Sequence, residues 1–262
     1  MKTIEHQKTF EEPGYLKKIF TGTGDFIYFT SRFFKEVLKP PYFLKETIRQ
    51  CFQIGYKSLP LVAVTAFIIG LVLTLQSRPS LVQFGAESLL PGMISVSIIR
   101  EIGPVITAII CAGKIGSAIG AELGSMRVTE QIEAMEVSAI NPYKYLVVTR
   151  VLATTCMIPL LIVFTDAIGL YGSYTAMNIH SDIGLQRFFS EALNHLDFSD
   201  ILPALIKSIF FGFATGIIGC YKGYNAKGGT ESVGRAANAA VVSASLAIFV
   251  IDMIVVQITD FL

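Results

Sequence analysis

LPLVAVTAFIIGLVLTL, residues 59–75, runs without a single charged side chain. About 20 apolar residues in helix cross the roughly 30 Å hydrocarbon core of a bilayer, and this stretch is the centre of such a span, over about 47–77. Four more follow, at about 89–120, 146–176, 200–221 and 237–260. Composition agrees: of 262 residues 52% are hydrophobic and 16% charged, whereas soluble domains carry about 25% charge. The chain reads as an all-α membrane protein with about five transmembrane helices. Its net charge of +1 gives no electrostatic footprint for nucleic acid. It has no Trp, so Tyr and Phe must anchor it at the interfaces.

Outward from that core, residues 1–46 form a cytoplasmic N-terminus with an interfacial helix, and 47–262 form the transmembrane domain. In Asp25–Leu38 the apolar residues Phe26, Phe29, Phe33, Phe34 and Val37 recur at helical spacing beside Arg32, Lys35 and Lys39. That pattern fits a helix lying in the membrane interface, and Pro40-Pro41 ends it. Met1 to Lys18 is polar and lacks the apolar core of a signal peptide. Orientation follows from Lys and Arg in short loops. The N-terminal segment and the loops after spans two and four hold Lys45, Arg49, Arg127, Lys144, Arg150, Lys222, Lys227 and Arg235. The other side holds only Arg78 and Arg187 among several acids, Asp182 included. The N-terminus is therefore expected in the cytoplasm.

Between spans two and three runs AELGSMRVTEQIEAMEVSAINPYKYL. Residues 121–137 are good helix formers, amphipathic and too polar to span, and Asn141-Pro142 marks their end. A solvated connector is one reading. The other is a coupling helix docked on a cytoplasmic partner, with Glu122, Arg127, Glu130 and Glu133 as its polar contacts and Met and Ile as anchors. Its length favours the second, since simple helix–helix connections take about 2–8 residues. Gly116, Gly120 and Gly124, then Gly212 and Gly216, then Ala236, Ala240 and Ala244 form small-residue stripes. Such stripes let helices approach closely in lipid, within one chain or between copies.

Arg100, Glu101, Asp166, Lys207 and Asp252 lie inside apolar spans. A charge in hydrocarbon costs several kcal/mol on most scales. At ~1.5 Å per residue, Glu101 lies roughly 18 Å, Lys207 roughly 10 Å and Asp252 roughly 12 Å from the outer ends of their helices. Arg100 and Lys207 can then meet Glu101, Asp166 and Asp252. These are either buried ion pairs that fix helix register or a polar gate for an amphiphile's headgroup, the two cations facing a phosphodiester. Leu71 and Leu75 on span one are assigned to an apolar wall for the tails.

Catalytic and metal signals are missing. Gly113-Lys114 is followed by Ile115, so no phosphate loop forms. His6, His180 and His195 show no ligand spacing. Cys51, Cys111, Cys156 and Cys220 form no CxxC pair and read as small hydrophobes.

The block REIGPVITAIICAGKIGSAIGAELGSMRVTEQIEAMEVSAINPYKYLVVTRVLA, residues 100–153, resembles the signature of MlaE-type permeases, and the likeness extends over nearly the whole chain. Lys114 departs from the Arg more usual there, keeping charge but not bidentate geometry. The family moves phospholipids between membranes of diderm bacteria, with relatives in chloroplasts. The resemblance implies a homodimeric permease of the inner membrane that is not itself an enzyme and binds no cofactor. ATP would be bound by a separate ABC ATPase subunit. Further partners would be a periplasmic MCE-domain protein and, in some members, a STAS-domain subunit. It also implies that Glu101, Lys207 and Asp252 border the lipid path. Three rivals stay open: an ion-coupled secondary transporter with protons on Glu101 and Asp252, a lipid-modifying enzyme, and a purely structural subunit.

Overall fold

The computed structural model describes residues 15–179 and 183–261, with backbone alone at 15–21 and at 260. His6, His180, Asp182 and the segment before Tyr15 lie outside the described residues. The described residues form two compact units, one up to Lys39 and one from Pro40. In the first, α1 (Tyr15–Val37) carries the expected N-terminal helix, with Phe29 and Phe33 buried and Ile27, Tyr28 and Phe34 exposed.

In the second unit no described residue is in a strand. Five helical stretches are long and apolar enough to cross a membrane: Leu44–Gln83, Glu87–Val128, Tyr143–Asn178, Phe198–Tyr224 and Glu231–Thr259. The first contains α2 (Leu44–Gly55) and α3 (Leu59–Gln83), joined by a tight turn at Tyr56–Ser58. The second contains α4 (Leu90–Ser97), α5 (Gly103–Cys111) and α6 (Ser117–Val128). These two stretches hold 40 and 42 residues. At ~1.5 Å each they reach about 60 Å, far beyond a hydrocarbon core of about 30 Å, so their charged ends project from it.

Residues 121–137 are not the single helix expected from sequence. Ala121–Val128 is the end of α6, continuous with span two. The helix stops at Thr129-Glu130, where Glu130 takes φ 57° and ψ 19°. Thr129 Oγ1 donates to the Ser125 carbonyl at 2.9 Å, which helps close the turn. A short α7 (Gln131–Val137) follows. A left-handed residue without Gly is uncommon, and no breaker residue announces it.

α8 (Thr149–Asn178) is the central helix. On one side Val62, Ala66, Gly70 and Thr74 of α3 pack on it, and Thr74 Oγ1 lies 2.7 Å from Ser173 Oγ. On another, α10 (Phe198–Tyr224) approaches closely, because Gly212 and Gly216 face the backbone of Thr154, Thr155 and Val151. Then α6 sits between α10 and α11 (Glu231–Asp260). Gly120 faces Ala236, Ala237 and Ala240, while Gly223 faces the backbone of Gly120. The small-residue stripes thus serve packing within the chain.

One element goes unread in the sequence. α9 (Leu185–Asn194), between spans three and four, buries Phe188 and Ala192 against Leu90, Ile94, Ile98, Leu170 and Met177. Ser95 Oγ lies 2.7 Å from the Ala192 carbonyl. Its signal was the spacing of Phe188 and Ala192, one helical turn apart on a polar segment.

Candidate functional site

Lys207, on α10, lies in a helix whose neighbours are apolar. Its ammonium donates to Glu101 Oε2 and to Asp252 Oδ1, each at 2.9 Å. Three spans, the second, fourth and fifth, are tied together by one cation. Lys207 is 2% exposed, while the side chains of Asp252 and Glu101 are 18% and 38% exposed. The cation is sealed in and the acids open outward, so the trio carries net negative charge toward that opening.

Glu101 reaches this place through a π turn over Ile98–Ile102. Pro104 has no N–H, so it cannot bond the Arg100 carbonyl four residues back. The Gly103 N–H bonds the Ile98 carbonyl, five residues back, instead. The extra residue rotates Arg100 and Glu101 relative to the rest of the span, and such turns recur at functional sites. No periodicity of 3.6 forecasts it.

The expected charge partners separate into three groups. Arg100 Nη1 lies 3.7 Å from Asp200 Oδ1, at 40% side-chain exposure. Asp200 also accepts from the Asp197 N–H at 3.2 Å, closing the capping box that starts α10. A pair this exposed contributes about 0–1 kcal/mol. Asp166 does not meet a base by hydrogen bond: its Oδ1 is buried without a partner. It sits against Gly103, where an added Cβ would fall 2.0 Å from Oδ1. Sequence placed Arg100 and Asp166 in the same cluster as Lys207 because depth along an axis says nothing about azimuth.

Leu71 is half-buried and Leu75 is 38% exposed, both flanking the α3 stripe that packs on α8. An apolar groove of about 400 Å³ lies elsewhere along the same pair of spans, lined by Cys51, Phe52, Tyr56, Met157, Leu160 and Phe164.

The four polar residues assigned to partner contact also divide. Glu122 Oε1 lies 2.8 Å from Arg150 Nη2, and Arg150 is 3% exposed. Arg127 Nη1 meets Glu133 Oε1 at 2.5 Å, clasping α6 to α7. Ile132 is fully buried and holds α7 to the body. Glu130, Glu136, Val137 and Ile140 are exposed, Val137 at 90%. Among the described residues no group of His, Cys, Asp and Glu could hold a metal ion.

The model of the permease family MlaE matches residues 47–258. The chain belongs to the MlaE permease family. It is 37% identical over 241 residues to the "Probable ABC transporter permease protein" of Rickettsia prowazekii, covering 92% of this chain and 93% of the relative. A Synechocystis relative with the same description is 34% identical over 223 residues, 85% of each chain. The intermembrane phospholipid transport system permease protein MlaE of Haemophilus influenzae is 34% identical over 212 residues, 80% of this chain and 81% of that one. The MlaE match reaches all five spans and contains the Lys207 trio. This is a multi-pass membrane protein of an ABC-transporter permease family.

Proposed function

We propose that this chain is the membrane subunit of an ABC transporter that passes phospholipids between the inner membrane of a diderm bacterium and a periplasmic MCE-domain partner. It works as a homodimer with its N-terminus in the cytoplasm and α1 in the interface, and a separate ATPase supplies the energy. A STAS-domain subunit on that ATPase is compatible with the same arrangement. The observation that carries the reading is the Lys207 trio, a buried cation bridging three spans with its acids opening outward. The name and likeness of the Haemophilus relative support the substrate class.

In this mechanism the trio is a latch between spans and not a phosphate clamp. Lys207 is already held by two carboxylates, so the headgroup meets the acids first. Arg100, at the outer rim beside Asp200, offers the guanidinium that suits a phosphodiester. Movement of α7 against α6 alters span two, which carries Glu101, and the cavity favours or rejects lipid accordingly. A cycle of this kind requires unequal lipid affinity in its two states.

Reconstituted with ATPase and MCE partner, the complex is expected to transfer labelled phospholipid only with ATP. Transfer driven by a pH gradient and indifferent to ATP would instead favour the ion-coupled secondary transporter.

The α7 surface gives a second expectation. Val137→Asp is expected to reduce copurification of the ATPase several-fold while the permease stays folded, because Val137 touches little within its own chain. Glu130→Lys should act in the same direction. Glu133→Lys acts differently, by breaking the Arg127 clasp, and should shift the melting temperature as well. Pull-down beside a circular dichroism melt separates the two; normal ATPase retention by Val137→Asp would remove α7 from the interface.

A further inference from the structure

A second site with charged groups in its wall lies toward the charged ends of spans one and two, away from the Lys207 trio. Here a cavity of about 220 Å³ is lined by Gln50, Gln53, Lys57, Ser58, Lys114 and Glu122, among others. Two lysines from different spans share it. Lys57 has no acid partner among the described residues. Lys114, on the π turn Ala112–Gly116, donates to the Lys57 carbonyl and is half-buried. An ammonium has three donors, so that bond leaves capacity for an incoming acceptor. Glu122, the acid on the wall, is engaged by the buried Arg150, which offsets its charge. The local balance is positive.

The deciding observation is Ser58. It is 2% exposed, it lines this cavity, and its Oγ has no hydrogen-bond partner. It precedes α3 without capping it. A buried hydroxyl left unpaired is costly, and a ligand oxygen reaching it would remove that cost. Gln50, also buried, spends its amide N–H on Glu46 at 2.8 Å, leaving the wall formed but not closed.

Depth narrows the ligand class. Lys57 and Ser58 stand just before the uncharged run that opens at Leu59, and Lys114 stands just after the apolar part of span two. That is headgroup level. Two lysines and one serine stand around a small cavity whose other walls include Ile54, Ile115 and Ile119, and their donors match the oxygens of a phosphate. We infer that Lys57, Lys114 and Ser58 form a binding site for a phosphate group, either the phosphodiester head of a lipid in the adjacent leaflet or free phosphate. The site needs no transport step, so its test reads binding alone.

The full chain with its partner subunits, in nanodiscs containing phosphatidylglycerol, is examined by native mass spectrometry after transfer to detergent. A second arm titrates inorganic phosphate into lipid-free detergent complex, followed by phosphorus NMR line width. Lys114→Gln is expected to weaken retention of phosphatidylglycerol, or binding of phosphate, at least tenfold. Lys114→Arg should keep it, and Ser58→Ala should weaken it less than Lys114→Gln. Retained lipid in the first arm identifies the headgroup as ligand; broadening in the second alone identifies free phosphate. Equal binding by wild type and a normally melting Lys114→Gln, or binding in neither arm, overturns the site.

Discussion

Lys207→Met is expected to abolish phospholipid transfer and to destabilise the permease by about 3 kcal/mol, near the lower end for breaking a buried pair. The reasoning starts from the asymmetry of the trio. Lys207 is 2% exposed, and removing its charge leaves Glu101 and Asp252 facing one another across the space its ammonium held. Two carboxylates without a cation repel, and Asp252 is the more buried of the pair. Glu101 is partly exposed, so water screens its share and moderates the figure. The three spans lose a side chain that hydrogen-bonds across all of them. A triple variant, Lys207→Met with Glu101→Gln and Asp252→Asn, removes the stranded charges, and its melting temperature should return most of the way to wild type. Transfer should stay absent in it if the charges gate the path, and should return if they only fix helix register. Circular dichroism melts of the assembled complex and a labelled-lipid transfer assay read the two effects separately. Wild-type transfer by Lys207→Met itself would exclude the latch.

The spans were legible because hydropathy reports burial in lipid directly: the uncharged run from Leu59 needs no tertiary information to be placed. The first four observed spans extend past both expected ends, and the fifth past its first, because polar residues such as Lys45 or Glu122 continue a helix in water as readily as apolar ones continue it in lipid. The Lys207, Glu101 and Asp252 grouping was legible in part, since common depth and opposite charge permit it. What assigned Lys207 its two acids and sent Arg100 to Asp200 is azimuth, set by a π turn that Pro104 helps to force. Glu130 shows the opposite limit. A strong helix former takes a left-handed turn there, between two helices bridged by the Arg127–Glu133 pair and by the burial of Ile132. Ser58 reads as an ordinary serine until its burial and missing partner are known.

The other large effect concerns packing. Gly70→Val is expected to keep the permease from reaching its native packing, with a melting temperature well below wild type and loss of the assembled complex. An added Cβ at Gly70 would lie 1.8 Å from the Gly169 carbonyl oxygen and 2.7 Å from its carbon. Both atoms are backbone of α8, so no rotamer change can make room; α3 and α8 must move apart. Overpacking within a core costs about 1–3 kcal/mol where side chains can yield, and here the helix itself must yield. Separation also lengthens the Thr74–Ser173 bond, 2.7 Å in the native contact, and the approach of Gly172 to the Phe67 backbone. In a bilayer these losses matter more than in water, because lipid is as apolar as the side chains and the helices gain little from hydrophobic burial against each other. Close contact and hydrogen bonds are what hold α3 on α8. Gly234→Ala is the matched comparison: it lies inside α11 with nothing within 4 Å of an added Cβ, and Ala is favoured over Gly in a helix by about 1 kcal/mol. Melting midpoints should therefore move in opposite directions for the two variants. If Gly70→Val melts with Gly234→Ala, the α3–α8 contact is not what sets stability, and the fold must be held chiefly through α10 and α11.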